Sequence, residues 1–174
     1  MAMMIEICGQ ETAVSLVANA RERFSVISIT ATEDGDVAFP ANENAVAILR
    51  LRFNDLTEAY DEDGFPYGRP LPEQRDFEGL KTFVDVLVGE RLIIHCWEGA
   101  SRSAAVATAI FEARGGVDYL KTHGRYAPNP RVYALACREL GIPLRGLNYT
   151  AVPDGTGTWS IGRGRGVTAR HWIN

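Results

Sequence analysis

Two short runs, residues 24–30 (Phe-Ser-Val-Ile-Ser-Ile-Thr) and 91–95 (Arg-Leu-Ile-Ile-His), limit the fold more than any other feature of the chain. Both are rich in branched aliphatic residues, and their interiors lack strict apolar/polar alternation, the pattern of strands covered on both faces. Such strands belong to parallel sheets, whose crossover connections lay helices over the two faces. The rest of the chain supplies that alternation. Residues 3–8 read as a strand closed by Gly9, and 12–20 have helical spacing through Val14, Leu16, Val17 and Ala18. A polar loop over 31–44 leads to a third strand at 45–53. The stretch 54–72 is broken by Gly64, Pro66, Gly68 and Pro70.

Pro72 suits the first turn of a helix, with Leu80, Phe83, Val84, Leu87 and Val88 at 3–4 spacing up to Gly89. An alanine-rich helix is predicted over 101–114, ended by Gly115 and Gly116, and further helices over 117–123 and 129–140. Asn129 is the predicted N-cap of the last, with Pro130 at its first position. The expected fold is α/β: a three-layer α/β/α arrangement around a mostly parallel, four-stranded central sheet.

Composition removes several classes. At 174 residues, 46% hydrophobic and 23% charged, the chain has the makeup of one globular domain and not of a disordered or fibrous one. Residues 1–150 form the expected domain, and 151–174 a tail containing Gly-Arg-Gly-Arg-Gly, flexible or wrapping the domain. A net charge of −4 argues against general binding to nucleic acid or anionic membrane. No apolar run approaches bilayer length, and the first residues, Met-Ala-Met-Met-Ile-Glu, do not have the form of a signal peptide. The 3 cysteines, at 8, 96 and 137, suggest neither a disulfide framework nor a zinc site, and a reducing, cytoplasmic setting is expected.

One segment carries chemistry: Leu92-Ile-Ile-His-Cys-Trp-Glu-Gly-Ala-Ser-Arg-Ser103, with a helix following at once. Cys96 and Arg102 are separated by five residues, a spacing that chance also produces; its setting makes it specific. A buried strand precedes the cysteine, Gly99 lies mid-loop, and a hydroxyl follows the arginine. A loop passing from strand end to helix start turns backbone N–H groups inward and adds the positive end of the helix dipole, which makes an anion cradle. Trp97, Glu98, Gly99, Ala100 and Ser101 would supply those donors. Arg102 can grip two phosphate oxygens, and a cysteine beneath them feels the same positive field, which favours thiolate over thiol. A sulfur anion below a bound phosphate is a nucleophile aimed at phosphorus, and Ser103 can donate a hydrogen bond to that sulfur as it departs.

His95-Cys96-Trp-Glu-Gly-Ala-Ser-Arg102-Ser103 resembles the His-Cys-x5-Arg-Ser/Thr signature of the protein tyrosine phosphatase superfamily, in the form typical of its dual-specificity-like branch. The likeness extends over residues 24–140 and is strongest to small bacterial predicted tyrosine phosphatases, where a Pro-Asn-Pro-Arg segment like residues 128–131 also follows. The resemblance implies a four-stranded parallel core, phosphate-monoester hydrolysis through a phosphocysteine, no metal or other cofactor, and a separate aspartic acid that protonates the leaving group. In that branch the acid follows the strand before the helix leading to the cysteine strand, which here selects Asp55. Asp61 and Asp63 are its rivals, since 60–72 reads as an insertion. His95 is expected to be structural and to hydrogen-bond the loop.

Phosphotyrosine on protein is the expected substrate, with small phosphomonoesters open. A loop interior without lysine ranks highly phosphorylated lipids lower. The alternatives are a phosphate- or phosphoprotein-binding module without turnover, or a phosphatase of lipid, nucleotide or nucleic-acid phosphates. Oxyanion reduction would need a cysteine relay, and no second cysteine lies near Cys96 in sequence, although Cys8 or Cys137 remains a candidate to trap an oxidised Cys96.

Overall fold

The computed structural model describes residues 3–87, 91–115, 126–145 and 169–173. In chain order the elements are β1 (Met3–Gly9), α1 (Gln10–Asn19), β2 (Phe24–Thr30), β3 (Ala45–Arg52), a 3₁₀ turn (Gln74–Phe77), α2 (Leu80–Val86), β4 (Arg91–Cys96), α3 (Arg102–Ala113), α4 (Pro130–Leu140) and β5 (Ala169–Ile173). Four strands, β3-β2-β4-β1, pair in parallel, and β5 adds to the outer side of β1 antiparallel. The α/β class and the four parallel strands agree with the sequence reading. The fifth strand comes from the segment read as a tail. The predicted helix over 117–123 lies outside the described residues.

Parity along the strands divides the core in two. Ile27, Ile29, Leu92, Ile94 and Cys96 face α3 and α4, whereas Phe24, Val26, Ile93 and Cys8 face α1. Because both sides are covered, every residue of β2 is buried, as its unalternating sequence requires. The first nine residues of α3, Arg102–Ile110 in sequence, are buried, and its alanines let a helix apolar all round pass close over the sheet.

The predicted helix from Pro72 to Gly89 is divided. A 3₁₀ turn ends at Phe77, and Gly79, at φ +86°, separates it from α2. That left-handed conformation breaks the hydrogen-bonding run that a helix needs, and glycine adopts it at little cost. Polar residues in the core are paired across strands. Glu6, fully buried in β1, bonds Arg91 of β4, and both the side chains of Ser28 and His95 lie in the buried layer between β2 and β4.

All four parallel strands point the same way, so β1, β3 and β4 deliver Gly9, Phe53 and Cys96 to one end of the sheet. That end, beyond the carboxyl termini of parallel strands, is where open α/β sheets hold their ligands.

Candidate functional site

Cys96 is the last residue of β4, 3% exposed, and the chain bends immediately after it. The backbone N–H of Gly99 donates back to Cys96 Sγ at 3.3 Å, and Ser103 Oγ in the first turn of α3 lies 3.2 Å from the same sulfur. The segment between strand and helix therefore folds over the thiol. Trp97 is 64% exposed beside it.

Gly99 makes this bend possible in two ways. Its φ of +80° is unfavourable for a residue with a side chain, and a Cβ there would stand 2.3 Å from the Cys8 carbonyl carbon and 2.5 Å from Gly9 N. The loop thus rests directly on the end of β1, and Gln10 N donates to Trp97 O at 3.1 Å. Reciprocally, a Cβ on Gly9 would meet Trp97 O at 3.1 Å and Glu98 O at 3.2 Å. Two glycines face one another where loop and strand touch.

Arg102 opens α3 and is only 8% exposed. Its Nη1 donates to the Phe53 carbonyl at 3.1 Å, while Nε is buried with no partner among the described residues. Phe53 is itself held by stacking on Phe77, ring centroids 4.8 Å apart. A guanidinium anchored at one nitrogen, with another donor buried and unsatisfied, is an unfavourable arrangement unless an acceptor can arrive.

Asp55 reaches the loop. Ser101 Oγ donates to Asp55 Oδ1 at 2.7 Å, and Asn129 Nδ2 donates to the same oxygen at 2.8 Å. Asn54 supports this placement. It is buried, and its Nδ2 donates to Thr32 Oγ1 at 2.9 Å and to Pro70 O at 3.1 Å. The rival acids are employed elsewhere. Asp61 Oδ1 accepts from the backbone N–H of Asp63 and Phe65, which closes an exposed turn beneath the Tyr60–Pro66 bridge. Asp63 is part of that turn, and neither carboxylate bonds the loop.

The sequence reading expects His95 to hydrogen-bond the loop; the bond that its Nε2 makes goes to β2 instead. Alternation turns His95 to the α1 face, where Nε2 meets Ser28 Oγ at 2.8 Å and the ring packs edge-on against Phe39. Burial, with lesser contributions from the Arg102 and Arg50 charges, holds its pKa down at about 4, so it is neutral near pH 7. Cys8 pairs in register with His95 on that same face, opposite Cys96, which removes it as a near partner for a disulfide with Cys96. Burial, then the neighbouring Glu6 charge, pushes the Cys8 thiol up to about 12, and burial pushes Cys137 up to about 11. Both are thiols at neutral pH.

The structure brings Cys96, Gly99, Ser101, Arg102, Ser103 and Asp55 together. Trp97, Glu98 and Ala100 form the remaining backbone of the bend, with Ala100 O accepting from Ala127 N at 3.1 Å. Sequence reasoning missed Asn54 as an anchor, the Phe53 carbonyl as the seat of Arg102, and Asn129 as anything beyond a helix cap. Among the described residues, no group of three or more His, Cys, Asp or Glu side chains could hold a metal, and no helix is long and apolar enough to cross a membrane. No family model, curated protein or solved structure matches the chain.

Proposed function

We propose that the chain is a cysteine-dependent phosphate-monoester hydrolase of the protein tyrosine phosphatase type, within the dual-specificity-like branch. The observation that carries the reading is the buried Nε of Arg102, left without a partner at the same strand end where Gly99 N–H and Ser103 Oγ converge on Cys96 Sγ. A dianionic phosphoryl group would satisfy that donor, and its phosphorus would lie in reach of the sulfur.

The reaction runs in two displacements. Cys96 as thiolate attacks phosphorus, the bond to the leaving oxygen breaks, and Asp55 gives that oxygen its proton. Arg102 and the backbone N–H groups of residues 97–102 hold the charge on the equatorial oxygens. In the second step Asp55, now a carboxylate, takes a proton from water as its oxygen attacks phosphorus. The S–P bond breaks with its electron pair returning to sulfur, which Ser103 Oγ stabilises by donating a hydrogen bond. Nucleophile, acid and charge-stabilising groups all come from the protein, so the mechanism calls for no metal.

The substrate we assign is phosphotyrosine on protein or a small aryl phosphate. The exposed indole of Trp97, next in the chain to Cys96, offers an aromatic surface to such a ring. Cys8, Cys96 and Cys137 are all unpaired, which suits a reducing compartment such as the cytoplasm.

Hydrolysis of an aryl phosphate with chelator present, by the wild-type chain and by Cys96→Ser, tests the reading. Wild type turns over, and Cys96→Ser loses turnover while still binding vanadate. Turnover that persists in Cys96→Ser, or that requires added metal, overturns the mechanism. Vanadate binding without turnover in wild type makes the chain a binding module instead.

A further inference from the structure

The loop that bears Asp55 is gripped at both ends by one short segment at the start of α4. Asn129 Nδ2 donates to Asp55 Oδ1 at 2.8 Å, and Arg131 Nε donates to the Pro72 carbonyl, also at 2.8 Å. Asn129 is buried, and the other end of its planar amide is engaged as well. Its Oδ1 accepts from the backbone N–H of Arg131 at 3.0 Å and of Val132 at 3.1 Å. The amide cannot turn without breaking the cap of α4, so the donor aimed at Asp55 is fixed in direction.

Both donors on Asp55, Asn129 Nδ2 and Ser101 Oγ, fall on Oδ1. An oxygen that already accepts two hydrogen bonds is the poorer place for a carboxyl hydrogen, so a protonated Asp55 carries it on Oδ2. A carboxyl held in this way presents one defined oxygen to the leaving group.

We infer that Asn129 is a positioning residue of the reaction: it orients Asp55 so that Oδ2 carries the proton to the leaving oxygen and later receives one from water. The inference rests on the phosphatase reading above. In the first step the Oδ2–H bond breaks as the P–O bond to the leaving group breaks and the S–P bond forms. In the second, Oδ2 takes a water proton as the new O–P bond forms and sulfur departs. Asn129 exchanges no proton in either step.

General acid assistance matters most when the leaving group is poor, and a helix cap does not discriminate between leaving groups. The test is Asn129→Ser, which keeps an N-cap acceptor and removes the amide donor, assayed on phenyl phosphate and 4-nitrophenyl phosphate. The expected result is a fall in kcat/KM, which reports the first displacement alone, of about 10- to 100-fold on phenyl phosphate and a much smaller fall on 4-nitrophenyl phosphate. Adding the substitution to Asp55→Asn brings no further loss, since the two residues act as one unit. Asn129→Thr, a second capping variant, shows the same division. Equal losses of kcat/KM on the two esters, or an additive loss in the Asp55→Asn background, overturn the positioning role while leaving the phosphatase reading intact. A wild-type chain inert to both esters overturns the two together.

Discussion

Gly99→Ala measures how tightly the loop is seated on the sheet, and the structure sets the scale. At φ +80° an L-residue costs about 1–2 kcal/mol, partly offset because alanine lowers the entropy of the unfolded chain by about 0.4–1 kcal/mol. The new Cβ would lie 2.3 Å from Cys8 C and 2.5 Å from both Cys8 O and Gly9 N. Ordinary carbon contacts lie near 3.5 Å, so loop or strand must retreat by about 1 Å against buried backbone, at roughly 1–3 kcal/mol. Gly115 is the control: its φ is +85°, and a Cβ there meets nothing within 4 Å. Gly115→Ala should therefore cost about 1 kcal/mol or less, and Gly99→Ala about 3 kcal/mol, which in a chain of this size lowers Tm by about 10 °C. Urea unfolding with equal m-values for the two variants reads the difference directly. Equal midpoints for Gly99→Ala and Gly115→Ala would refute the close contact between loop and β1.

Two further perturbations address the buried polar groups. His95, held at about 4 against an ordinary 6.5, takes up its proton in the unfolded chain before the folded one. Its effect is absent above pH 6.5; as pH falls from there toward 4 it removes about 3 kcal/mol of stability. His95→Asn should flatten that part of the pH–stability curve, and an unchanged slope would show that the imidazole is accessible. Arg91→Leu strips the fully buried Glu6 of its β4 partner and should destabilise the fold by about 3 kcal/mol in urea. A loss below about 1 kcal/mol would mean that the pair behaves as a surface one.

Local rules recovered what local physics decides. The absence of strict alternation in residues 24–30 and 91–95 placed the two central strands, and Asn129 followed by Pro130 marked the start of α4, where the Asn129 side chain accepts from Arg131 N and Val132 N. The strand–bend–helix setting of Cys96 was likewise legible, because it lies within twelve consecutive residues of sequence. What the sequence hid is non-local. Asp55 meets Ser101 across 46 residues and Asn129 across 74, and no periodicity encodes such contacts. Asn54 carries no signal in the sequence beyond opening the broken stretch 54–72, and only its burial and hydrogen bonds reveal it as the tie between the loop after β2 and Pro70. The division at Gly79 escaped because the expected helix begins at Pro72, while the apolar spacing that supports it, Leu80 to Val88, starts only after that glycine. His95 finds its Nε2 partner, Ser28, 67 residues away on β2, because the alternation of the strand turns its ring to the α1 face.

The central claim is that Cys96 Sγ accepts a phosphoryl group. Rapid acid quench of the chain during turnover of an aryl phosphate, followed by mass spectrometry of its peptides, tests it most directly. The account predicts a phosphate adduct on Cys96, absent in Cys96→Ser and longer-lived when water activation is weakened in Asp55→Asn. Turnover with an unmodified Cys96, or an adduct on any other residue, would contradict it.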